Sequence, residues 1–345
     1  MNIGFFVRHF TERGTEVAIY DYAKYNEEIL NNNSFIICFT QETQEQINFP
    51  IERHSYDKFK NRFRIIEIQN INDITNIIKD LHLSFFYTLT YGGDNDIYEF
   101  NNKNIWGDCK TIKHCVFDTT SPEGDFYISI SNMLNVKYNT NIPVIPHIVA
   151  LPHNDDNLRN ELQIPQNSVV FGRYGGFETF DIDITHNAII EYINIDENCY
   201  FLFMNTKKFY EHPRIIYLDM NLDLNYKTKF INTCDAMIHS SILGETFGLS
   251  VAEFSSKNKP VITCYCGILE HIKILGDKAL VYHSKEDLIH IFENIKIIIN
   301  TTSRVVSVGT RPANGTSAEE VDWNAYKLYS PEHVMNLFKS YIFNK

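Results

Sequence analysis

The sequence predicts an α/β protein made of two doubly wound, Rossmann-like domains that face one another across an interdomain cleft. Three observations predict it. Short β-rich apolar runs alternate with longer amphipathic segments, the signature of βα units on a parallel sheet. The alternation pauses once, between Pro143 and Pro165, where prolines and the polar run HNDDNLRNELQ mark a linker. A second series of nearly equal size follows, and 345 residues are long for one hydrophobic core. The expected domains are residues 1–150, residues 151–325, and a C-terminal helix within 326–345 placed to pack back on the first.

Taken in order, the first series opens with NIGFFV as a strand and TEVAIYDYAKYNEEILNN as a helix. SFIICFT and FRIIEI are strands, INDITNIIKDLH is a helix, and SFFYTLTY, TIKHCVFD, YISIS and IPVIPHIVALP are further apolar runs of strand character. After the pause, SVVFGRYGG is a strand ending in a glycine turn, followed by the helix THNAIIEYINI. CYFLFMN and RIIYLDM are strands, NYKTKFINTC a helix, DAMIHSS a strand and GLSVAEFSSKN a helix stopped by Lys259-Pro260. PVITCY, LEHIKILG and ALVY continue the alternation. The stretch TTSRVVSVGTRPANGTSAEEVDW is irregular, and SPEHVMNLFKSYIF is an amphipathic helix capped by Ser330.

Composition narrows the class of partner. A net charge of -12 argues against a broad polyanion surface, so nucleic acid is not expected, while a local cleft for one phosphate-bearing ligand stays open. Seven cysteines, an odd number without a C-x-x-C pair, lie mostly inside apolar runs and predict reduced core thiols. The opening MNIGFFVRHFTERG lacks the basic segment and cleavage pattern of a signal peptide, and no apolar run approaches the roughly 18 residues of a membrane span. A soluble, cytoplasmic protein is expected.

Ligands of open α/β sheets bind outside the carboxyl ends of the strands. The turn GETFG therefore draws attention, because DAMIHSS runs into it and a helix starts after it. Glu245 lies at that mouth and Glu253 two turns into the helix, each an acceptor for a pair of sugar hydroxyls. The amides of Phe247, Gly248 and Leu249 suit a diphosphate or sugar hydroxyls, with Gly248 allowing close approach. On the first half, Gly14 stands between the first strand and its helix with Thr15 as N-cap, and Gly92, Gly93 and Asp94 end another strand on the acceptor side. His114 is a candidate sugar or acceptor contact with Asp118 as its alternative. The D-x-D pairs at Asp181/Asp183 and Asp94/Asp96 and the scattered histidines do not form a metal set, so no metal is expected.

The segment CDAMIHSSILGETFGLSVAEFSSKNKPVITCYCGILEHI resembles the donor-binding region of retaining glycosyltransferases of the GT-B fold, the large family four (glycosyltransferase group 1) enzymes. Glu245, Phe247, Gly248, Leu249, Glu253, Pro260, Val261 and Gly267 occupy matching places, and Thr246 replaces a usual glycine. The resemblance implies that Glu245 contacts the donor sugar, that Thr246 and the amides of residues 247–249 hold sugar and diphosphate, and that Glu253 holds the ribose. It further implies that Arg173, at the end of VVFGRYGG beside Gly172, Gly175 and Gly176, neutralises the diphosphate, and that His114 faces the donor sugar. The lysine that normally follows this arginine is replaced by Glu178, so either Lys207 or Lys208 substitutes from a neighbouring loop or the leaving group is stabilised less strongly. The expected activity is metal-independent transfer, with retention, from a UDP- or GDP-linked sugar to a carbohydrate or glycoconjugate hydroxyl, without another cofactor. Peripheral membrane association follows only for a lipid-linked acceptor. A noncatalytic relative acting as a binding or partner subunit and a sugar-nucleotide epimerase are the alternatives, while a nicotinamide dehydrogenase is disfavoured because neither first strand leads into G-x-G-x-x-G.

Overall fold

Runs of Val, Ile and Phe that are buried on both faces form parallel strands, because helices cover both sides of such a sheet. A computed structural model describes residues 1–11, 14–47, 51–93, 99–300 and 321–344. Two compact units emerge, Met1–Ala150 with Leu328–Lys345, and Leu151–Lys327. The first contains β1 (Asn2–Val7), α1 (Gly14–Glu28), β2 (Asn33–Phe39), α2 (Gln41–Gln46), α3 (Arg53–Lys60), β3 (Arg64–Ile68), α4 (Ile74–Leu81), β4 (Leu83–Thr90), α5 (Lys103–Trp106), β5 (Lys110–Cys115), β6 (Phe126–Ser129) and α6 (Asn132–Tyr138). Its strands pair in the order β3-β2-β1-β4-β5-β6, all parallel. One side of this sheet is packed by Phe6, Ile37, Phe86, Phe100 and Trp106.

The second unit contains β7 (Val169–Tyr174), α7 (Asp183–Ile195), β8 (Cys199–Met204), β9 (Ile215–Leu218), α8 (Leu224–Thr233), β10 (Ala236–His239), β11 (Gly244–Glu245), α9 (Leu249–Ser256), β12 (Val261–Cys264), β13 (Ile268–Leu269), α10 (Glu270–Leu275), β14 (Ala279–Tyr282) and α11 (Lys285–Asn300). The order is β14-β12-β10-β7-β8-β9, again parallel, with β11 and β13 forming a separate two-stranded ribbon. Phe171, Phe201 and Phe292 meet at the centre of its core, with 4.6 Å between the Phe171 and Phe292 rings. A final helix, α12 (Pro331–Ile342), belongs to the first unit. Ser330 caps it by accepting from the His333 amide, and Phe338 packs on Tyr22 and Tyr87.

Several expectations change. IPVIPHIVALP is not a strand; it makes one isolated bridge, Ser129 with Val144, because its prolines carry no amide to donate. The polar run after Pro152 is fastened to the second unit. Arg159 Nη2 donates to Asp235 Oδ2 at 2.9 Å, Thr233 Oγ1 accepts from the Leu158 amide, and Asn232 Nδ2 donates to the carbonyls of Asn154 and Asp156. Thr15 lies inside the first turn of α1 and is not its cap; its hydroxyl donates to Glu16. Most of the irregular stretch after Asn300, and Asp94 with Asp96, lie outside the described residues. The described cysteines are all free thiols. No helix among the described residues is long and apolar enough to cross a membrane.

Candidate functional site

Each sheet reverses its winding once, and ligands of doubly wound sheets bind outside the carboxyl ends of the strands at that reversal. In the first unit the reversal lies between β1 and β4, in the second between β7 and β10. The loop after β7 carries Gly175 and Gly176, and the loop after β10 carries Glu245. Gly14 follows β1 and Gly92 and Gly93 follow β4, so the glycine turns singled out in the sequence stand at the two reversals.

The loop after β10 is pressed against the loop after β12 by two glycines. A Cβ on Gly244 would lie 2.2 Å from the Ile268 carbonyl oxygen, and one on Gly267 would lie 2.0 Å from the Leu243 carbonyl carbon. Both have positive φ, 65° and 63°. The Ile268 amide donates to the Leu243 oxygen at 2.8 Å, and the ribbon β11–β13 continues from there. This crossing fixes Glu245, whose side chain is 31% exposed. Gly248, at φ 82°, ends the turn and precedes α9, which no side chain among the described residues caps; its first-turn amides have no partner within the helix. Thr246 and Phe247 are buried, and the Phe247 oxygen accepts from Tyr326 at 3.3 Å.

Arg173 is 4% exposed. Its Nη1 donates to the Asn205 oxygen and to Thr206 Oγ1, and its Nη2 to the Gly176 oxygen and Thr179 Oγ1, at 2.6–3.1 Å. Four acceptors of the chain thus take up the terminal nitrogens, and the guanidinium shapes the turn containing Gly175 and Gly176. Burial lowers its pKa to about 10, with Glu245 and Asp181 opposing. Gly172 is turned toward the core, where a Cβ would stand 2.2 Å from Cys234 Sγ. Glu178, where a lysine is usual, is exposed and 3.9 Å from Lys207. Asp181 accepts from the Ile242 amide at 2.9 Å, and among the described residues no group of three His, Cys, Asp or Glu is placed to hold a metal.

Glu253 is buried on α9 and bonded to two residues that sequence spacing does not single out. Tyr174, the last residue of β7, donates its hydroxyl to Oε2, and Lys227 of α8 donates to Oε1 at 3.0 Å and Oε2 at 3.3 Å. Lys227 also lies 5.3 Å from the Tyr174 ring centre.

In the first unit, Gly92 has φ 106° and a Cβ there would be 2.0 Å from the Asp118 oxygen, so only glycine fits. Asp118 Oδ1 accepts from the amide and the hydroxyl of Thr120. The exposed rings of Tyr91 and Phe117 pair beside this turn at 5.3 Å. His114 stands on β5 in the interior, fully buried, where its Nδ1 bonds Tyr87 Oη at 2.8 Å and its Nε2 the Ile145 oxygen at 2.9 Å. Burial lowers its pKa to about 3. Ligand contact by this ring would first require one of those bonds to open.

Behind Glu245 stands a polar row that a search for metal spacing passes over. His239 Nε2 is 3.2 Å from Glu245 Oε1, its Nδ1 is 2.9 Å from Thr263 Oγ1, and that hydroxyl is 3.0 Å from His271 Nε2. The two rings are 4.5 Å apart. The register of β10 on β12 sets His239 opposite Thr263, and the His271 Cβ lies beneath Gly248. Burial, with His239 adding to it, lowers the His271 pKa to about 2. The signal available in the sequence was two histidines and a threonine within otherwise apolar runs.

No family model matches the sequence, and no curated protein matches it. Solved structures do. A glycosyltransferase from Rickettsia africae aligns with a TM-score of 0.70 at 15% identity, covering 100% of this chain and 99% of that one. HepE from Anabaena in complex with UDP-glucose aligns with a TM-score of 0.67 at 13% identity, covering 100% of both. A Listeria monocytogenes chain provisionally assigned as a UDP-N-acetylglucosamine 2-epimerase aligns with a TM-score of 0.60 at 12% identity, covering 100% of this chain and 97% of that one. The shared architecture is the GT-B fold, two parallel six-stranded sheets with flanking helices.

Proposed function

We propose that this GT-B chain transfers a sugar from a UDP- or GDP-linked donor to a hydroxyl of a carbohydrate or glycoconjugate, with retention and without a metal. One observation carries the reading: a partly exposed carboxylate, Glu245, stands at the start of a helix without a side-chain cap, at the point where the second sheet reverses its winding. Such a place offers hydroxyl-accepting oxygens and diphosphate-binding amides side by side. The UDP-glucose complex of HepE, which shares the fold, supports that donor class. In this reading residues 151–325 hold the donor and residues 1–150 present the acceptor, with the helix of residues 326–345 completing the latter.

The bond between the anomeric carbon and the leaving diphosphate oxygen breaks as the acceptor oxygen bonds that carbon, and the acceptor proton leaves on the departing phosphate. Glu245 orients the donor sugar. The amides of residues 247–249 and the field of Arg173 stabilise the negative charge that develops on the diphosphate. Glu253, already held by Tyr174 and Lys227, meets the ribose. Gly14, Gly92, Gly93 and Asp94 shape the acceptor side, and His114 supports it from within. The protein acts in the cytoplasm and meets a membrane only through a lipid-linked acceptor.

The fold match to the Listeria chain favours one second reading, a sugar-nucleotide epimerase. A thermal-shift panel of UDP, GDP, ADP and TDP with their common sugar conjugates, with and without magnesium, tests both, since a ligand of the folded state raises its melting temperature. A magnesium-independent shift with one nucleotide and its sugar is expected. Conversion of the bound sugar nucleotide to its epimer without acceptor would replace transfer by epimerisation, and retention is read from the anomeric configuration of the product by NMR.

A further inference from the structure

We propose that His239 is the positioning residue of the Glu245 carboxylate, fixed in a single tautomer by Thr263 and His271. The proposal rests on the donor reading for what Glu245 touches, though not for the state of the ring itself. Three hydrogen bonds run in a row from Glu245 Oε1 through His239 and Thr263 Oγ1 to His271 Nε2, at 3.2, 2.9 and 3.0 Å. His239, Thr263 and His271 are all buried.

The row can be protonated in two directions. In one, His271 Nε2 donates to the Thr263 oxygen, Thr263 donates to His239 Nδ1, and His239 Nε2 donates to Glu245. In the other every proton is reversed. The carboxylate end decides between them. His271 Nδ1 is buried without a hydrogen-bond partner among the described residues and stays unsatisfied in either order. The reversed order would aim the lone pair of His239 Nε2 at the Glu245 carboxylate, which can only accept. The first order puts an N–H there, and the other acceptor within reach of the Thr263 hydroxyl, the Cys264 oxygen, is more distant at 3.4 Å.

The consequence falls on Glu245. A carboxylate that is 31% exposed would otherwise turn about its last bond, but a donor at Oε1 holds the plane and leaves Oε2 to the ligand. An oriented acceptor loses less freedom when it binds a sugar hydroxyl. His239 therefore acts through Glu245, on the sugar end of the donor and not on its nucleotide end.

The test has two arms. Long-range ¹H–¹⁵N spectra of histidine-labelled protein report the tautomer of His239 without any ligand; Nε2–H is expected, and an Nδ1–H ring would overturn the proposal. In the second arm the affinities of UDP-glucose and UDP, and of GDP-mannose and GDP, are compared for wild type, His239→Leu, His239→Gln and Thr263→Val. The leucine variant should lose roughly tenfold to a hundredfold in affinity for the sugar conjugate that binds, and keep that of the bare nucleotide, because one charge-assisted bond is lost. Glutamine, whose amide nitrogen sits near the place of Nε2, should restore most of it, and Thr263→Val should fall between if His239→Leu fails to fold. Equal loss in the leucine and glutamine variants, or parallel loss of nucleotide and conjugate, would also overturn it. If wild type binds none of the four, the donor reading falls, and the tautomer alone decides the state of His239.

Discussion

Gly244→Ala should be among the most damaging single-methyl additions in this chain, and its magnitude can be worked from two terms. The backbone there is left-handed, φ 65°, which costs a residue with a Cβ about 1–2 kcal/mol. The new methyl would also stand 2.2 Å from the Ile268 oxygen and 2.5 Å from both the Cys266 oxygen and the Ile268 nitrogen. These are backbone atoms of the facing loop, which cannot swing away as a side chain would, and overpacking adds about 1–3 kcal/mol. The expected loss is about 2–5 kcal/mol, with Glu245 displaced as the ribbon β11–β13 parts. Gly248 supplies the control, since its backbone is left-handed too, φ 82° and ψ 67°, but a Cβ there would meet only side-chain atoms at 3.3 Å. Gly248→Ala should therefore lose little beyond the first term. Urea unfolding followed by ¹⁹F resonances of labelled tryptophan separates the units, because Trp106 belongs to the first and Trp323 to the second. Equal losses in the two variants, or a shift of the Trp106 transition instead of Trp323, would refute the reasoning.

Glu245→Ala should lower turnover by orders of magnitude with the fold intact; full activity would remove Glu245 from the site. Arg173→Lys should weaken nucleoside-diphosphate binding and destabilise the second unit by about 2–4 kcal/mol, since one ammonium cannot span the four acceptors that the guanidinium reaches, and calorimetric titration with urea unfolding reads both. Acid should destabilise the chain early. Burial holds the rings of His114, His147 and His271 at about 3, 4 and 2, below their ordinary 6.5, so between about pH 6.5 and 4 the unfolded chain takes up protons that the folded chain refuses. Stability should then fall with falling pH by up to about 1.4 kcal/mol per pH unit for each ring. Urea unfolding at pH 7 and pH 5 measures this, and His147→Phe should flatten the slope of the first unit.

The alternation of apolar runs carried the fold because a strand buried on both faces leaves a continuous hydrophobic stretch that few other structures tolerate. Short polar helices such as α2 and α3 left no such mark, and neither did the docking of residues 153–163 on the second unit, which depends on Arg159 finding Asp235 far along the chain. The turn GETFG was visible because glycine, acid and helix start fall together in sequence. What surrounds it was not. Lys227 and Tyr174 reach Glu253 from α8 and β7, and His239, Thr263 and His271 meet only through the pairing of β10 with β12. Arg173 and His114 were visible as residues but not in their bonding, because burial, which sequence periodicity marks only as a face, decides whether such a group looks outward or into its own fold.

The placement of α12 bears on how the protein is made. Tyr22, Tyr87 and Phe85 receive Phe338 and Phe343 within the first unit, yet the segment Leu328–Lys345 is separated from residues 1–150 by the whole second unit. A ribosome adding 5–20 residues per second would take roughly 10 to 40 s between finishing the one and finishing the other. Throughout that interval the nascent first unit carries an uncovered aromatic face, and its final closure waits for the translation of residues that follow the unit in between.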